Sequence, residues 1–534
     1  MKNLFLRSGG FGVFLVMLTV SIILMSPALI RGELIGQSSY FNVGWADGFA
    51  RQLAQGEIYP RWLPDMNNGL GSPAFYFYAP LPFYLTAPFI YLTGNASVSV
   101  VMGSTLMLGL SGVAGYLLFR QFAGRQESII GALAYMALPY HFVIDIWVRA
   151  AYGEQAAFIF MPLASLCILR LNANPLYAAG LALSCAGLAF SHLPSTLIFA
   201  PVMAILSLWT AYQSRSLRVA GLAILGGLLG LGAASIYVLP ALTGQWFIKP
   251  EFWDVLQPAE QLFFLRSPNT FDLILLLCFL VTVAIFAGVT FPIRKRPEFS
   301  GLRPWIAVAG AVLFLVSPLS LVLWKHAEFL AILQFPWRTL SVLDLVCGLA
   351  IAVAVKAMPR RTEILSRMPL FLLVFVATAA VMRLLGPAPD TSTSLPPLLQ
   401  AYEREGLGLK VDAPEYLPSC TMVAHDIVLG TMSTYQLLKS YETLKTPASA
   451  LRKFYYPFLH VYSQGREWPA SCDPGTGFIH VEGLPADTPG VSVVREPLPI
   501  ERPAWIGTLV SLFLIALLAV LPILRRWTAV ATSG

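Results

Sequence analysis

Along most of this chain apolar residues come in long unbroken runs, separated by short polar stretches. A helix that crosses a bilayer needs about 20 such residues in sequence. Runs of that kind stand near 11–30, 98–119, 128–144, 155–171, 175–192, 194–212, 219–240, 270–288, 304–323, 338–357, 369–386 and 503–524. Each is predicted to be a spanning helix. The first follows Lys2 and Arg7 and has the outline of a signal peptide, but its exit through Pro27 and Ala28 lacks a small-x-small cleavage site. It reads as an uncleaved first span. The apolar stretch 80–93 is shorter and carries Pro80, Pro82 and Pro88. Proline cannot donate a backbone hydrogen bond, so this stretch is expected to lie at the membrane interface rather than cross.

Before the last run the pattern changes. Residues 387–502 hold short apolar and polar alternations, as at 477–483 and 491–495, divided by Pro and Gly turns. Period-two alternation marks strands, and the opening stretch 396–447 reads as partly helical. The expected fold class is an all-α polytopic membrane bundle of about 12 spans with a small extracytoplasmic β-rich or α+β module before the last one. The corresponding divisions are 1–386, 387–502 and 503–534.

Composition agrees with a chain solvated by lipid: 57% of residues are hydrophobic and 12% charged, where a soluble domain carries about 25% charged residues. The net charge of +7 does not form a basic stripe with interleaved aromatics, so nucleic acid is not an implied partner. The basic residues instead cluster between runs: Lys2 and Arg7, Arg120 and Arg125, Arg170, Arg215 and Arg218, Arg294 to Arg303, Lys356 to Arg367, and Arg525 with Arg526. All of these clusters share one face only if 80–93 does not cross. Lys and Arg favour the cytoplasmic side. The expected location is therefore the inner or cytoplasmic membrane, with both termini cytoplasmic and 387–502 outside. Of the six cysteines, Cys420 and Cys472 alone fall in that outer segment. In an oxidising compartment they are expected to pair.

The polar residues on the outer side suggest chemistry. The first outer loop, 31–97, sets Asp47 near Arg51, with Arg61 and Tyr78 further along among many aromatics. A carboxylate there suits a base, a metal ligand or a partner at a phosphate site; a solvated loop capping the bundle is the plainer reading. The next outer loop holds Asp145, Arg149, Tyr152 and Glu154. Acid and arginine clustered twice on one side fits an anionic, phosphate-bearing substrate. His192 ends the fifth run, where a lone histidine is more often a capping or packing residue than a catalyst. Arg338 opens the tenth, where a cation opposes the helix dipole, so it calls for a partner: a phosphate, Asp344 or a headgroup. Asp344 lies inside an apolar run, where a carboxylate is unusual.

These residues resemble a known family. Asp47, the sequence YPRW at 59–62, GLG at 69–71 and FYAPLP at 77–82 resemble the C superfamily of integral-membrane glycosyltransferases (GT-C). The closer likeness is to the bacterial membrane family labelled "6-pyruvoyl-tetrahydropterin synthase related", and the more distant one to YfhO-type proteins. RAAYGE at 149–154, QFPWR at 334–338, EYLP at 415–418 and the segment around Tyr455 and Gly475 fit the same pattern. The pterin label does not extend to chemistry, because the six histidines (141, 192, 326, 425, 460, 480) lack the spacing of a three-histidine zinc site. The resemblance implies an inverting transferase that takes a sugar from a polyprenyl-phosphate-linked donor to an extracytoplasmic glycan, lipid or protein. In it Asp47 would be the general base or orient the acceptor, and Asp145 and Glu154 would form a second acidic site. Arg51, Arg61, Tyr78, Arg149, His192 and Arg338 would contact substrate or phosphate. A divalent metal, Mg or Mn, stays open, with Asp47, Asp145 and Glu154 as its candidate ligands. A transporter or flippase of lipid-linked glycans and a non-catalytic membrane scaffold are the other readings.

Overall fold

The computed structural model describes residues 10–249, 258–263, 269–327, 330, 333–358, 412–421, 450–485 and 488–531. In lipid a backbone must satisfy its own polar groups, which leaves helices as the economical solution for apolar runs. Among the described residues nine helices are long and apolar enough to cross a membrane, or ten if one bent pair counts as a single span. They include Gly10–Arg31, Ala96–Phe119, Tyr152–Arg170, Leu193–Ser214, Thr270–Ile293 and the last helix, Glu501–Ala531. The protein is a mostly helical, multi-pass membrane protein with a small β-containing module near its C-terminus. The expected span 369–386 lies outside the described residues, as does most of 396–447.

Several elements differ in length from the runs that predict them. Tyr177–Ser191 has 15 residues and spans about 22 Å at the helical rise. Its helix stops where His192 turns to an extended conformation. The run 219–240 becomes Leu217–Ala233 and Ser235–Thr243, bent by 71°. The bend frees the Ile236 N–H, which donates to Thr508 Oγ1 of the last helix at 2.9 Å, while Ser235 Oγ donates to the Ala504 carbonyl at 2.8 Å. A break in apolar surroundings is tolerable when a neighbouring helix takes up the released groups. The stretch Leu81–Thr93 is a helix of 13 residues, about 20 Å long.

The bundle core gathers around Leu340–Ala357, which is buried along almost its whole length and packs on Arg125–Ala137 and Thr270–Ile293. A second apolar cluster joins the first loop to the C-terminal module through Trp45, Phe49, Trp62, Phe75, Tyr456, Phe458 and Phe478. The first loop is thus a folded platform. It contains the helix Ser39–Ala54 and a bridge between Leu63 and Ser72. Gly71 lies in the left-handed region at φ 91°, and any Cβ there would collide with the Trp62 ring.

The module has two three-stranded antiparallel sheets. β1 (Ala450–Phe454), β5 (Phe478–Val481) and β4 (Ala470–Cys472) form one, in the order β1-β5-β4. β3 (Arg466–Trp468), β2 (Leu459–Ser463) and β6 (Ser492–Arg495) form the other, with Val461 opposite Val493. A disulfide joins Cys420 to Cys472 at the end of β4, with a Cα separation of 6.4 Å. Where platform, module and last helix meet, Glu501 accepts from Arg61 Nε at 3.1 Å, Arg495 Nη2 at 2.6 Å and the Tyr76 hydroxyl at 2.7 Å.

Candidate functional site

Beneath the module several helix ends converge on a cavity of about 790 Å³. Its apolar walls come from Trp45, Phe77, Tyr78, Tyr237 and Tyr416, and its charged groups are Arg149, Glu154, Arg338 and Glu415. A concave, mostly aromatic pocket with a few convergent polar groups is the usual form of a ligand site.

Arg149 and Glu154 owe their places to an irregular piece of backbone. After Pro139 the chain winds as a π-helix, Tyr140–Val148, a form common at functional sites. The Asp344 carboxylate accepts the His141 backbone N–H at 2.8 Å and the Thr282 hydroxyl at 3.3 Å. The carboxylate inside the tenth run therefore anchors this winding. At its far end Ala150 takes a left-handed φ of 50°. The carbonyls of Val148, Arg149 and Ala150 are taken by Gln37 N, Ser38 N and Asn42 Nδ2, at 2.7 to 3.0 Å. The platform thus fixes the turn that carries Arg149. Glu154 follows in the first turn of Tyr152–Arg170, where the helix dipole favours negative charge. Arg149 Nη1 donates to Glu154 Oε2 at 2.6 Å and to Asp145 Oδ1 at 3.1 Å, and the Tyr140 hydroxyl donates to Glu154 Oε1 at 2.8 Å. The Trp337 ring stacks on the guanidinium at 4.8 Å. Arg149 is thereby neutralised by its own chain.

Arg338 has a different environment. It is 7% exposed and its Nη1 donates to the Leu333 carbonyl and Gln334 Oε1. Its Nε is buried without a hydrogen-bond partner, and no carboxylate lies within ion-pair distance among the described residues. A buried cation without an ion-pair partner is costly, and this one, unpaired among the described residues, lines the cavity. Nearby, His192 caps Leu193–Ser214: its Nδ1 accepts the Ser195 N–H at 3.3 Å. The neutral ring then carries its proton on Nε2 and remains a donor. Burial pushes the Tyr78 phenol up to about 12, so it too stays protonated.

The structure thus brings Tyr78, Arg149, Glu154, His192 and Arg338 to one cavity, with Asp145 fully buried behind them. Three other candidates lie elsewhere. Asp47 and Arg51 form a surface ion pair, extended by Asp65 at 3.3 Å from Arg51, with side chains 40–52% exposed. Asp47 does not line the cavity although Trp45 does, because two residues along a helix turn the side chain by about 200°. Arg61 is held by Glu501 and by the Ile236 carbonyl at 2.7 Å, and it does not line the cavity either.

The candidate metal ligands Asp47, Asp145 and Glu154 do not fit a shared ion. The Arg149 guanidinium stands between Asp145 and Glu154, and Asp47 belongs to the surface group. Among the described residues no three His, Cys, Asp or Glu side chains gather in a way that could hold one.

One charged lining group has no role assigned from the sequence. Glu415 sits on the short turn Pro414–Tyr416 that the module hangs over the cavity. The stretch 412–421 is tied to the platform and to residues 247–249. Trp45 Nε1 donates to Asp412 Oδ1 at 2.8 Å, and Ser72 Oγ donates to Asp412 Oδ2. Lys249 N donates to the Glu415 carbonyl at 3.0 Å, and Ser419 N to the Phe247 carbonyl at 3.1 Å. The only sequence signal was EYLP itself, bracketed by Pro414 and Pro418.

No protein-family model and no curated protein matches the sequence. Among solved structures, the chain is similar to the arabinofuranosyltransferase AftD from Mycobacteria. The TM-score is 0.46 at 17% identity, over 73% of this chain and 28% of that one. A mutant form of AftD gives 0.46 at 18% identity, over 68% and 27%. This chain therefore spans little more than a quarter of AftD. ArnT from Cupriavidus metallidurans, bound to undecaprenyl phosphate, gives 0.44 at 14% identity, over 80% of this chain and 73% of that one. These overlaps are loose, and no residue role is carried over from them.

Proposed function

We propose that the protein is a membrane glycosyltransferase that takes a sugar from a polyprenyl-phosphate-linked donor and passes it to an acceptor on the extracytoplasmic side. The observation that carries this reading is Arg338: a buried guanidinium whose Nε has no hydrogen-bond partner among the described residues, at the wall of a cavity that opens where helices end. Such a group calls for an anion, and a guanidinium suits a phosphate in shape and charge. The aromatic walls suit the apolar faces of a sugar ring and an isoprenoid. The basic clusters support the sidedness: Arg170, Arg215 and Lys356 stand at the ends of helices whose opposite ends reach the cavity.

In this reading Arg338 stabilises the charge that builds on the phosphate as it departs, and the His192 ring and Tyr78 hydroxyl supply neutral donors to substrate. Arg149, held by two carboxylates, orders that wall. Asp47 takes no part in the chemistry. Arg338→Met removes the charge and keeps much of the bulk, whereas Arg338→Lys keeps the charge. Loss of one donor to a developing anion costs about 10²–10³ in rate. Purified Arg338→Met is expected to lose transfer from a polyprenyl-phosphate sugar by that factor and to bind polyprenyl phosphate weakly, with Arg338→Lys in between. Wild-type transfer by Arg338→Met would end this assignment.

A further inference from the structure

We infer that Glu415, supplied by the module and not by the bundle, is the base that takes the proton from the acceptor hydroxyl. The inference rests on the glycosyl-transfer reading above and adds the group that reading lacks.

Two carboxylates line the cavity, Glu154 and Glu415. Both oxygens of Glu154 are engaged, one by Arg149 at 2.6 Å and the other by the Tyr140 hydroxyl at 2.8 Å. Glu154 is also 1% exposed, so a proton taken there has no direct path to solvent. Glu415 is partly exposed at the cavity, and so able to pass its proton on to solvent. A base must also be held where the substrate will be, since misplacement by an ångström costs much of its effect.

The stretch around Glu415 is built for that. Asp412 clamps it to Trp45 and Ser72 of the platform, the Glu415 carbonyl is bound by Lys249 N, and the Tyr416 carbonyl accepts the Tyr456 hydroxyl. Tyr416 stacks on Phe77 at 6.1 Å, and Cys420 is joined to β4. Among the described residues the platform, Lys249, Tyr456 and β4 each restrain this stretch, and it brings the Glu415 carboxylate to the cavity.

Arg338 and Glu415 reach the cavity from different elements, the start of a bundle helix and the module. That separation suits a displacement. The acceptor oxygen forms a bond to the anomeric carbon while the bond from that carbon to the phosphate oxygen breaks. The electron pair leaves on the phosphate beside Arg338. The acceptor proton passes to Glu415, which later returns it to water. The acceptor is accordingly a hydroxyl-bearing molecule, bound between the module and the mouth of the bundle.

The test uses the full-length protein in detergent with a polyprenyl-phosphate sugar donor. It compares wild type, Glu415→Gln, Arg338→Met and, as an unaffected control, Asp65→Asn at the exposed surface. A positioned base contributes about 10²–10⁴ in rate. Glu415→Gln is expected to lose transfer in that range, to lose the acidic limb of the pH–rate profile, and to bind polyprenyl phosphate as wild type does. If Glu415→Gln keeps both the wild-type rate and the wild-type pH profile while Arg338→Met is impaired, the base assignment fails and the glycosyltransferase reading stands. If Glu415→Gln loses phosphate binding together with transfer, Glu415 supports the donor site and the base role is overturned. If wild type transfers no sugar from any polyprenyl-phosphate donor, both readings fall.

Discussion

Arg149 and Arg338 share a cavity wall, yet their partners differ completely. Arg149 has two carboxylates and a hydroxyl; Arg338 has a carbonyl, an amide oxygen and a bare Nε. Of the first pairing the sequence showed only that Asp145, Arg149 and Glu154 fall within ten positions, and Arg149 read there as a phosphate contact. The second was half legible: an arginine at a helix N-terminus had to have a partner, but Asp344, one candidate, is taken by His141 and Thr282. Asp47 stands two positions from Trp45, yet it pairs with Arg51 at the surface while Trp45 lines the cavity. These differences predict opposite outcomes. Asp47→Asn breaks an exposed ion pair, and such changes shift stability by about 0.5 kcal/mol or less. It should leave both thermal midpoint and transfer rate unchanged. Arg149→Met leaves the buried Asp145 and Glu154 without their cation, and breaking a buried pair costs about 3–5 kcal/mol. The variant should show a much lower midpoint in a fluorescence melt of detergent-solubilised protein. Equal midpoints for the two variants would refute the contrast.

At the scale of elements, spans were the most readable feature, because lipid imposes both length and composition on them. Departures come from local chemistry: Tyr177–Ser191 stops at an extended His192, and the pair Leu217–Ala233 and Ser235–Thr243 bends where Thr508 accepts a freed N–H. The platform was read as a loop, since its helix Ser39–Ala54 carries polar groups and aromatics in place of a lipid-facing stripe. Its burial comes from the module, which no local pattern announces. The stretch 412–421 offers a test of that docking. Burial raises the Asp412 pKa from 3.8 to about 6, against the opposing effects of the Ser72, Ala413 and Trp45 hydrogen bonds. The folded state therefore holds this proton more tightly than the unfolded chain. The stability it adds is complete below the ordinary value of 3.8 and is lost as pH rises through about 6. A shift of that size corresponds to on the order of 3 kcal/mol. Wild type should melt at lower temperature at about pH 7.5 than at about pH 5, and Asp412→Asn should show a smaller difference over the same interval. Parallel pH dependences in the two proteins would mean that Asp412 does not titrate with folding.

For the whole molecule, platform, module and last helix act as one body at the mouth of the bundle, joined by contacts across hundreds of positions. Arg61 reaches Glu501 across 440 positions, and Trp45 reaches Asp412 across 367. Such contacts are invisible in sequence, where Arg61 read as a phosphate ligand, because nothing local distinguishes a structural arginine from a binding one. The disulfide is the long-range link that compartment and elimination did suggest. It closes the 52 positions between Cys420 and Cys472, and so ties the stretch bearing Glu415 to β4. For a loop of that length the loss of chain entropy in the unfolded state corresponds to about 4 kcal/mol. Replacing both cysteines by serine, which leaves no free thiol in the module, should therefore lower the melting midpoint measurably. It should also loosen Glu415 without touching Arg338. Transfer is then expected to fall while affinity for polyprenyl phosphate holds. The same split should appear in wild type treated with a reductant and reverse on reoxidation. A double-serine variant with the wild-type midpoint and wild-type transfer would show that the hydrogen bonds of Asp412, Glu415 and Ser419 alone suffice to hold this stretch over the cavity.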